Sequence, residues 1–463
     1  MQLNEFRYVL IFLPVVALAL QALRWRGKSR HIPILLLVSS LVFYLSNGIE
    51  QTWILLLSIA TNWGISRWLS REGNSSSRRT WLILGIAFNV SILLAYKIAP
   101  HFGFVRGFLQ FPLGLSFFTL TQVMFLVDCY ERLTRGRSLE EHATFVMFFP
   151  NITAGPILRS KLFFRELDST ARHLLVENAV GSGALLIAMG MVKKVVLGDS
   201  FARITKAAYS APQDLSTIES WIAVFAGTLE VYFDFSGYSD IALGSAQLLG
   251  LRLAKNFDAP FRSATISEFW RRWHITLSDF ITTYLYTPLL RRMGKATLAK
   301  SAVATISAMA VAGVWHGLTW NFLLFGLLHG LALAGYQYWK RLKRPLPKPF
   351  DAVLTFAFVS LVFVTVKAQN LDVVAQIWGN LFQSSFSFSL NTLTGTIPSA
   401  DLRFIALPVM AGAILAFWGE TSDQISNRAP AGLGRDLVTL LLLVFAYTYA
   451  GAGGTTDFRY RQF

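Results

Sequence analysis

Charged side chains are scarce along the whole chain, at 15% of 463 residues, where a soluble domain carries about a quarter. That shortfall excludes a protein whose surface mostly faces water. Cysteine is almost missing: the single Cys129 precludes an intramolecular disulfide framework and reads as a packing residue. No linker is long or polar enough to separate two domains. No internal repeat of fixed period shows either, which weighs against an inverted-repeat transporter. A cleavable leader is not evident: Glu5 interrupts the basic region a leader needs, and no small-x-small site follows the first apolar stretch. That stretch reads as a retained helix.

What the chain has instead is long apolar runs. Hydrophobic residues make up 54% and the mean hydropathy is +0.47. Runs at 8–23, 32–46, 53–68, 81–99, 113–129, 176–198, 219–250, 301–316, 320–339, 352–368, 403–419 and 436–451 approach the ~20 residues that span hydrocarbon. They predict an all-α polytopic membrane protein with about eleven transmembrane helices, plus re-entrant and interfacial ones. The expected organisation is a single membrane domain with N-terminal helices over 1–111, a core over 112–340 and C-terminal helices over 341–463.

The formal charge of +16 would point to nucleic acid in a soluble protein. Here the positive-inside rule accounts for it, and no nucleic-acid partner is expected. Arginine and lysine gather in loops at 24–30, 67–79, 132–137, 291–295 and 340–348, while the linkers at 47–51 and 100–111 are almost uncharged. Basic loops in the cytoplasm and an extracytoplasmic N-terminus follow.

Two segments break the helix-by-helix pattern. Residues 145–159 (FVMFFPNITAGPILR) are apolar but hold Pro150, Gly155 and Pro156, so they predict a broken or re-entrant segment buried in protein. Residues 256–286 mix aromatics with Arg262, Arg271, Arg272 and His274. Ser267 ahead of Phe269 and Trp270 suggests a helix start, and the amphipathic, basic character places the segment at the cytoplasmic face.

Polar groups inside apolar runs are costly and mark function by default. His316 sits within VWHG, expected deep in an apolar helix, with His329 in the next run and Asn321 between them. Without a carboxylate neighbour its imidazole should stay neutral and able to act as a base, or else serve as a hydrogen-bonded core residue. No metal is expected, because no Cys, Asp or Glu accompanies the two histidines at ligand spacing. In VYFDFSGYSDIALG (231–244), Asp234 and Asp240 flank Ser236 and Tyr238. They are suited to a cation or proton path, but the favoured reading is a structural one, bonding backbone around a break at Gly237. In EFWRRWH (268–274), Arg271 and Arg272 could clamp a phosphorylated cofactor. On these residues alone an interfacial helix holding anionic headgroups is the stronger reading.

Taken in order, five stretches resemble the membrane-bound O-acyltransferase family, in its bacterial branch similar to the alginate O-acetylation protein. They are PLGLSFFTLTQVMFLVDCY (112–130), FFPNITAGPILR (148–159), YFDFSGYSDIALGSAQLLGLRLAKNFDAPF (232–261), EFWRRWHITLSDFITTYLY (268–286) and VWHGLTWNFLLFGLLHG (314–330). The resemblance implies a helical bundle with a thinned centre in the bacterial inner membrane. His316 would be the catalytic base and His274 the second polar catalytic residue. It also implies an acetyl-CoA donor from the cytoplasm, with Arg271, Arg272, Trp273, Trp315 and Asn321 holding or orienting it. The acceptor would be an exported polysaccharide such as alginate or cellulose, or a periplasmic acetyltransferase partner. Asp234, Ser236, Tyr238, Asp240 and His329 would be accessory polar residues. The chain departs from the family pattern at 287–292 (TPLLRR), at Val366-Lys367-Ala368 and at 458–463 (FRYRQF). Two competing expectations are D-alanyl transfer from a carrier protein to teichoic acid, and ion-coupled transport using Asp234 and Asp240.

Overall fold

The computed structural model describes residues 1–71, 75–103, 111–170, 177–343, 346–383 and 388–453; the C-terminal 458–463 pattern lies outside them. Among the described residues all regular structure is helical. A π-helical turn at Tyr8–Phe12 leads into α1 (Leu13–Trp25), followed by α2 (Ile32–Leu45), α3 (Ile49–Leu69), α4 (Ser75–Ile98) and α5 (Leu115–Tyr130). Pro33 stands in the first turn of α2, where a missing backbone N–H leaves nothing unpaired, and Pro14 follows directly on the π-helical turn.

A capping box of Ser138 and Glu141 starts α6 (Leu139–Met147). The chain then loses regular structure until α7 (Ser160–Thr170), and every residue from Phe148 to Leu158 is buried. This is the interrupted, protein-covered segment that Pro150 and Pro156 predicted. Its backbone is served from inside: Thr276 Oγ1 accepts from the Ile157 N–H at 2.9 Å, and Thr153 bonds Tyr238.

Next, α8 (Glu177–Met191) passes through a π-helical turn (Val192–Gly198) into α9 (Asp199–Ser210), and α10 (Thr217–Leu248) folds back along both. The two backbones almost touch: a Cβ on Gly190 would lie 2.7 Å from the Gly237 carbonyl oxygen, and one on Gly244 2.5 Å from that of Gly183. The expected break at Gly237 is therefore absent. Helix α10 runs through it unbroken, and the glycine serves close approach instead.

Three short helices, α11 (Ile266–Arg272), α12 (Ile275–Phe280) and α13 (Thr287–Arg292), precede the tight hairpin of α14 (Leu298–His316) and α15 (Trp320–Trp339). The cap of α11 is Thr265, which accepts from the Glu268 N–H, rather than the expected Ser267. The chain closes with α16 (Phe350–Lys367), α17 (Leu371–Asn380), α18 (Asn391–Thr396), α19 (Ser399–Trp418), α20 (Ser422–Arg428) and α21 (Leu433–Gly453).

Among the described residues, 7 helices are long and apolar enough to cross a membrane, and two shorter apolar ones, Ser29–Leu45 and Leu115–Tyr130, accompany them. That is fewer than the expected crossings, for a physical reason. Helices α3, α10 and α15 form as the apolar runs predicted, but polar side chains dilute them: Asn62, then Glu219, Glu230, Asp234 and Asp240, then Asn321, His329 and Gln337. Much of α10 is buried in the bundle, whereas Leu10, Leu18, Leu407 and Leu441 on outer helices are more than half exposed, as a lipid-facing surface requires.

Candidate active site

The α14–α15 hairpin carries His316. His316 does not lie deep in a helix, as expected; it is the last helical residue of α14, and Gly317 caps it. Helix ends leave carbonyls without intrahelical partners. One is served from far away in sequence: the Lys97 ammonium in the last turn of α4 donates to the His316 carbonyl at 3.0 Å. Lys97 also lies over the Phe111 ring at 5.9 Å. Aromatic rings wall the imidazole, with Trp315, Phe322 and Phe325 at 4.6, 6.2 and 6.3 Å between centroids.

His274 links α11 to α12 and adopts a left-handed backbone, φ 41°. A non-glycine residue there carries strain of order 1–3 kcal/mol, held by its surroundings. The ring is buried, edge-on to Phe235 of α10 at 4.8 Å. Neither of its nitrogens meets a hydrogen-bond partner among the described residues. Buried polar atoms are almost always paired, so a spare imidazole donor and acceptor at this place call for an explanation.

His274 and His316 line one cavity of about 10 Å³, together with Trp270, Trp273, Phe322 and Val366. That is about the room one water needs. Trp270 also belongs to a second, more open groove of about 370 Å³ that reaches Arg271, Asp279 and Thr282. Its indole N–H donates to His329 Nδ1 at 3.3 Å. An aromatic side chain thus stands between groove and cavity, held by a buried histidine.

The other expected site residues divide. Trp273 lines the cavity and stacks on Phe269, and Arg271 lines the groove. Arg272 is tied to Glu268 at 2.8 Å and to the Asp258 carbonyl at 3.2 Å, so it braces the loop. Trp315 packs against Phe117. Asn321 donates to the Ala368 carbonyl at 2.9 Å and fastens α15 to the end of α16. His329 lies behind Trp270, boxed by Phe325 and Phe358.

Asp234 and Asp240 do not line the two-histidine cavity. Asp234 pairs with Lys194 at 2.8 Å, which also holds Asp199, and Asp240 pairs with Lys193 at 2.7 Å. Tyr238 bonds Thr153, and Ser236 is buried beside them. Both carboxylates are thus engaged by lysines, which fits the favoured structural role. Among the described residues no group of His, Cys, Asp or Glu could hold a metal.

Sequence reading missed Lys97, Trp270 and the lysine partners. The departure at Val366-Lys367-Ala368 lies at the site: Val366 lines the cavity, Lys367 pairs with buried Glu230, and the Ala368 carbonyl takes Asn321.

The protein is thus a helical membrane bundle with two buried histidines on one small cavity. The chain belongs to the membrane-bound O-acyltransferase family, whose model matches residues 46–367. It is 32% identical over 410 residues to a peptidoglycan O-acetyltransferase of Helicobacter pylori, covering 80% of this chain and 77% of that protein. It is 32% identical over 432 residues to a probable alginate O-acetylase of Azotobacter vinelandii, covering 89% and 83%. A teichoic acid D-alanyltransferase of Streptococcus thermophilus is 30% identical over 312 residues, covering 65% and 75%.

Proposed function

We propose that this protein is an O-acetyltransferase of the bacterial cytoplasmic membrane, moving acetyl from cytoplasmic acetyl-CoA to an extracytoplasmic polysaccharide hydroxyl, either directly or through a periplasmic transferase. One observation carries the reading: His316 and His274, from separate segments, meet on a single cavity. The bundle forms one membrane domain of about eleven crossings, with the basic loops and the groove beside Arg271 on the cytoplasmic side.

Donor thioester enters by the groove, which suits a long phosphorylated chain with Arg271 at its wall. The cavity is too small for an acetyl group, so Trp270 or Phe322 moves aside as the donor arrives. His316 then takes the proton of the acceptor hydroxyl as its oxygen attacks the thioester carbonyl. The unspent ring N–H of His274 faces the cavity and suits the developing oxyanion. As the tetrahedral intermediate collapses, the C–S bond breaks and the thiolate takes the proton from His316. Exclusion of bulk water limits hydrolysis of the thioester.

The similarity to a teichoic acid D-alanyltransferase supports a second reading, D-alanyl transfer from a carrier-protein thioester. One experiment separates them: mass spectrometry of ester-linked groups on secreted and envelope polymers from cells carrying wild type, His316→Ala and His274→Ala. Acetyl esters that vanish in His316→Ala are expected. D-alanyl esters would favour the second reading, and unchanged esters in His316→Ala would refute both. Loss in that variant alone would leave His274 without a chemical role.

A further inference from the structure

A groove of about 620 Å³, larger than the cavity and groove already described, shares no lining residue with the two-histidine cavity. It runs between the end of α15, the start of α16 and the cap of α11. Its floor is apolar, with Ala332, Leu354 and Phe358, and Trp339 stands at its mouth. Leu354 is 59% exposed and Trp339 44%, so this wall is open sideways. Helix α16 is apolar enough to cross the membrane, which puts the floor at hydrocarbon depth.

One end is different. Lys340 and Lys343 line it, both exposed, and neither has a carboxylate within ion-pair distance among the described residues. The one acid in the wall, Asp351, accepts from the Ala352 N–H through Oδ1, which engages part of its carboxylate. Two free cations at the surface end of an apolar trough, with a tryptophan beside them, match a molecule with an anionic head and a hydrocarbon tail.

We propose that this groove binds a phospholipid with an anionic headgroup, from the leaflet on the side where the basic loops gather. The phosphate lies between Lys340 and Lys343 and one acyl chain lies along Leu354 toward Phe358. The inference is independent of the acyl-transfer reading. A phosphorylated thioester donor is the obvious rival, and geometry weighs against it. Helix α15 runs from Trp320, beside His316, to Trp339; at 1.5 Å per residue the lysine end is about 30 Å from the histidine. A donor held there by its phosphates would leave its tail in a lipid-facing trough, with Phe358, His329 and Trp270 standing between that trough and the cavity.

The test uses the purified full chain and native mass spectrometry, with phosphatidylglycerol and phosphatidylcholine offered in turn. One retained phosphatidylglycerol per chain is expected, with phosphatidylcholine held at least 10-fold more weakly. Lys340→Gln with Lys343→Gln should weaken retention by about 10- to 30-fold, at roughly 1 kcal/mol per lysine. Ala332→Trp, which fills the trough, should block it with both lysines intact. Equal retention of the two lipids would overturn the proposal, as would retention that survives both variants. Displacement of the lipid by coenzyme A would hand the groove to the donor and overturn it as well.

Discussion

Lys97→Met separates holding His316 in place from holding the protein together. The ammonium donates to the carbonyl of His316 across 219 residues of sequence, a contact between the tip of the hairpin and α4. A hydrogen bond from a charged donor contributes about 1.5–3 kcal/mol. The ammonium is half-buried, so it carries a desolvation cost of similar size to that bond, and methionine, of similar length, removes that cost while keeping the packing. The two effects offset, so the unfolding midpoint should move by no more than a few degrees. Catalysis has no such compensation. A base displaced by about 1 Å loses on the order of 100-fold, so kcat for acetyl transfer from acetyl-CoA should fall about 10- to 100-fold with the donor KM little changed. Lys97→Arg, which keeps both charge and donors, should recover most of the rate. The assay is steady-state transfer by the purified chain, read beside its thermal midpoint. Activity of Lys97→Met within twofold of wild type would refute the reasoning. So would a loss that tracks falling stability, or an arginine variant no better than methionine. His316→Ala, measured alongside, tells the two ideas apart: if it remains active, His316 is not the base at all.

His316→Ala should lower transfer by about 100- to 10,000-fold, the range for a lost general base, with protein levels in the membrane unchanged by immunoblot. Lys367→Met leaves Glu230 buried without its lysine and should destabilise by about 3–5 kcal/mol; adding Glu230→Gln should restore much of the loss in the same denaturation series. Gly190→Ala places a methyl 2.7 Å from the Gly237 carbonyl oxygen, forcing α8 from α10 at a cost of about 1–3 kcal/mol, readable as a lowered thermal midpoint in detergent. Asn321→Ala removes the bond to Ala368 and should cost about 1 kcal/mol while leaving the donor KM unchanged; a raised KM would return Asn321 to the donor-binding residues.

The helices were legible because apolar run length measures them directly. The run at 320–339 matches α15 end for end, and that at 301–316 finds the residue where α14 stops. The proline-broken stretch at 145–159 was equally legible, since a missing N–H cannot be hidden. Pairings were not. Lys194 meets Asp234, and Lys97 meets His316, only after the bundle has packed, and nothing local in one sequence encodes such partners. The cap at Thr265 had a signal that was passed over: Thr265 and Glu268 stand in the spacing of a capping box, which Ser267 lacks. Gly237 misled because one residue type serves both helix breaks and helix contacts, and only the glycines opposite it decide between them.

The smallness of the two-histidine cavity has an electrical consequence. A transferase open to both faces of an energised membrane would let protons run down their gradient between turnovers. A cavity with space for about one water, walled beyond its two imidazoles by indole, phenyl and aliphatic groups, holds too few hydrogen-bonding groups for the long file that proton hopping across a membrane requires. On the proposed acyl-transfer reading, the tightness that makes a reactant push its way in would also keep the bilayer insulated between turnovers.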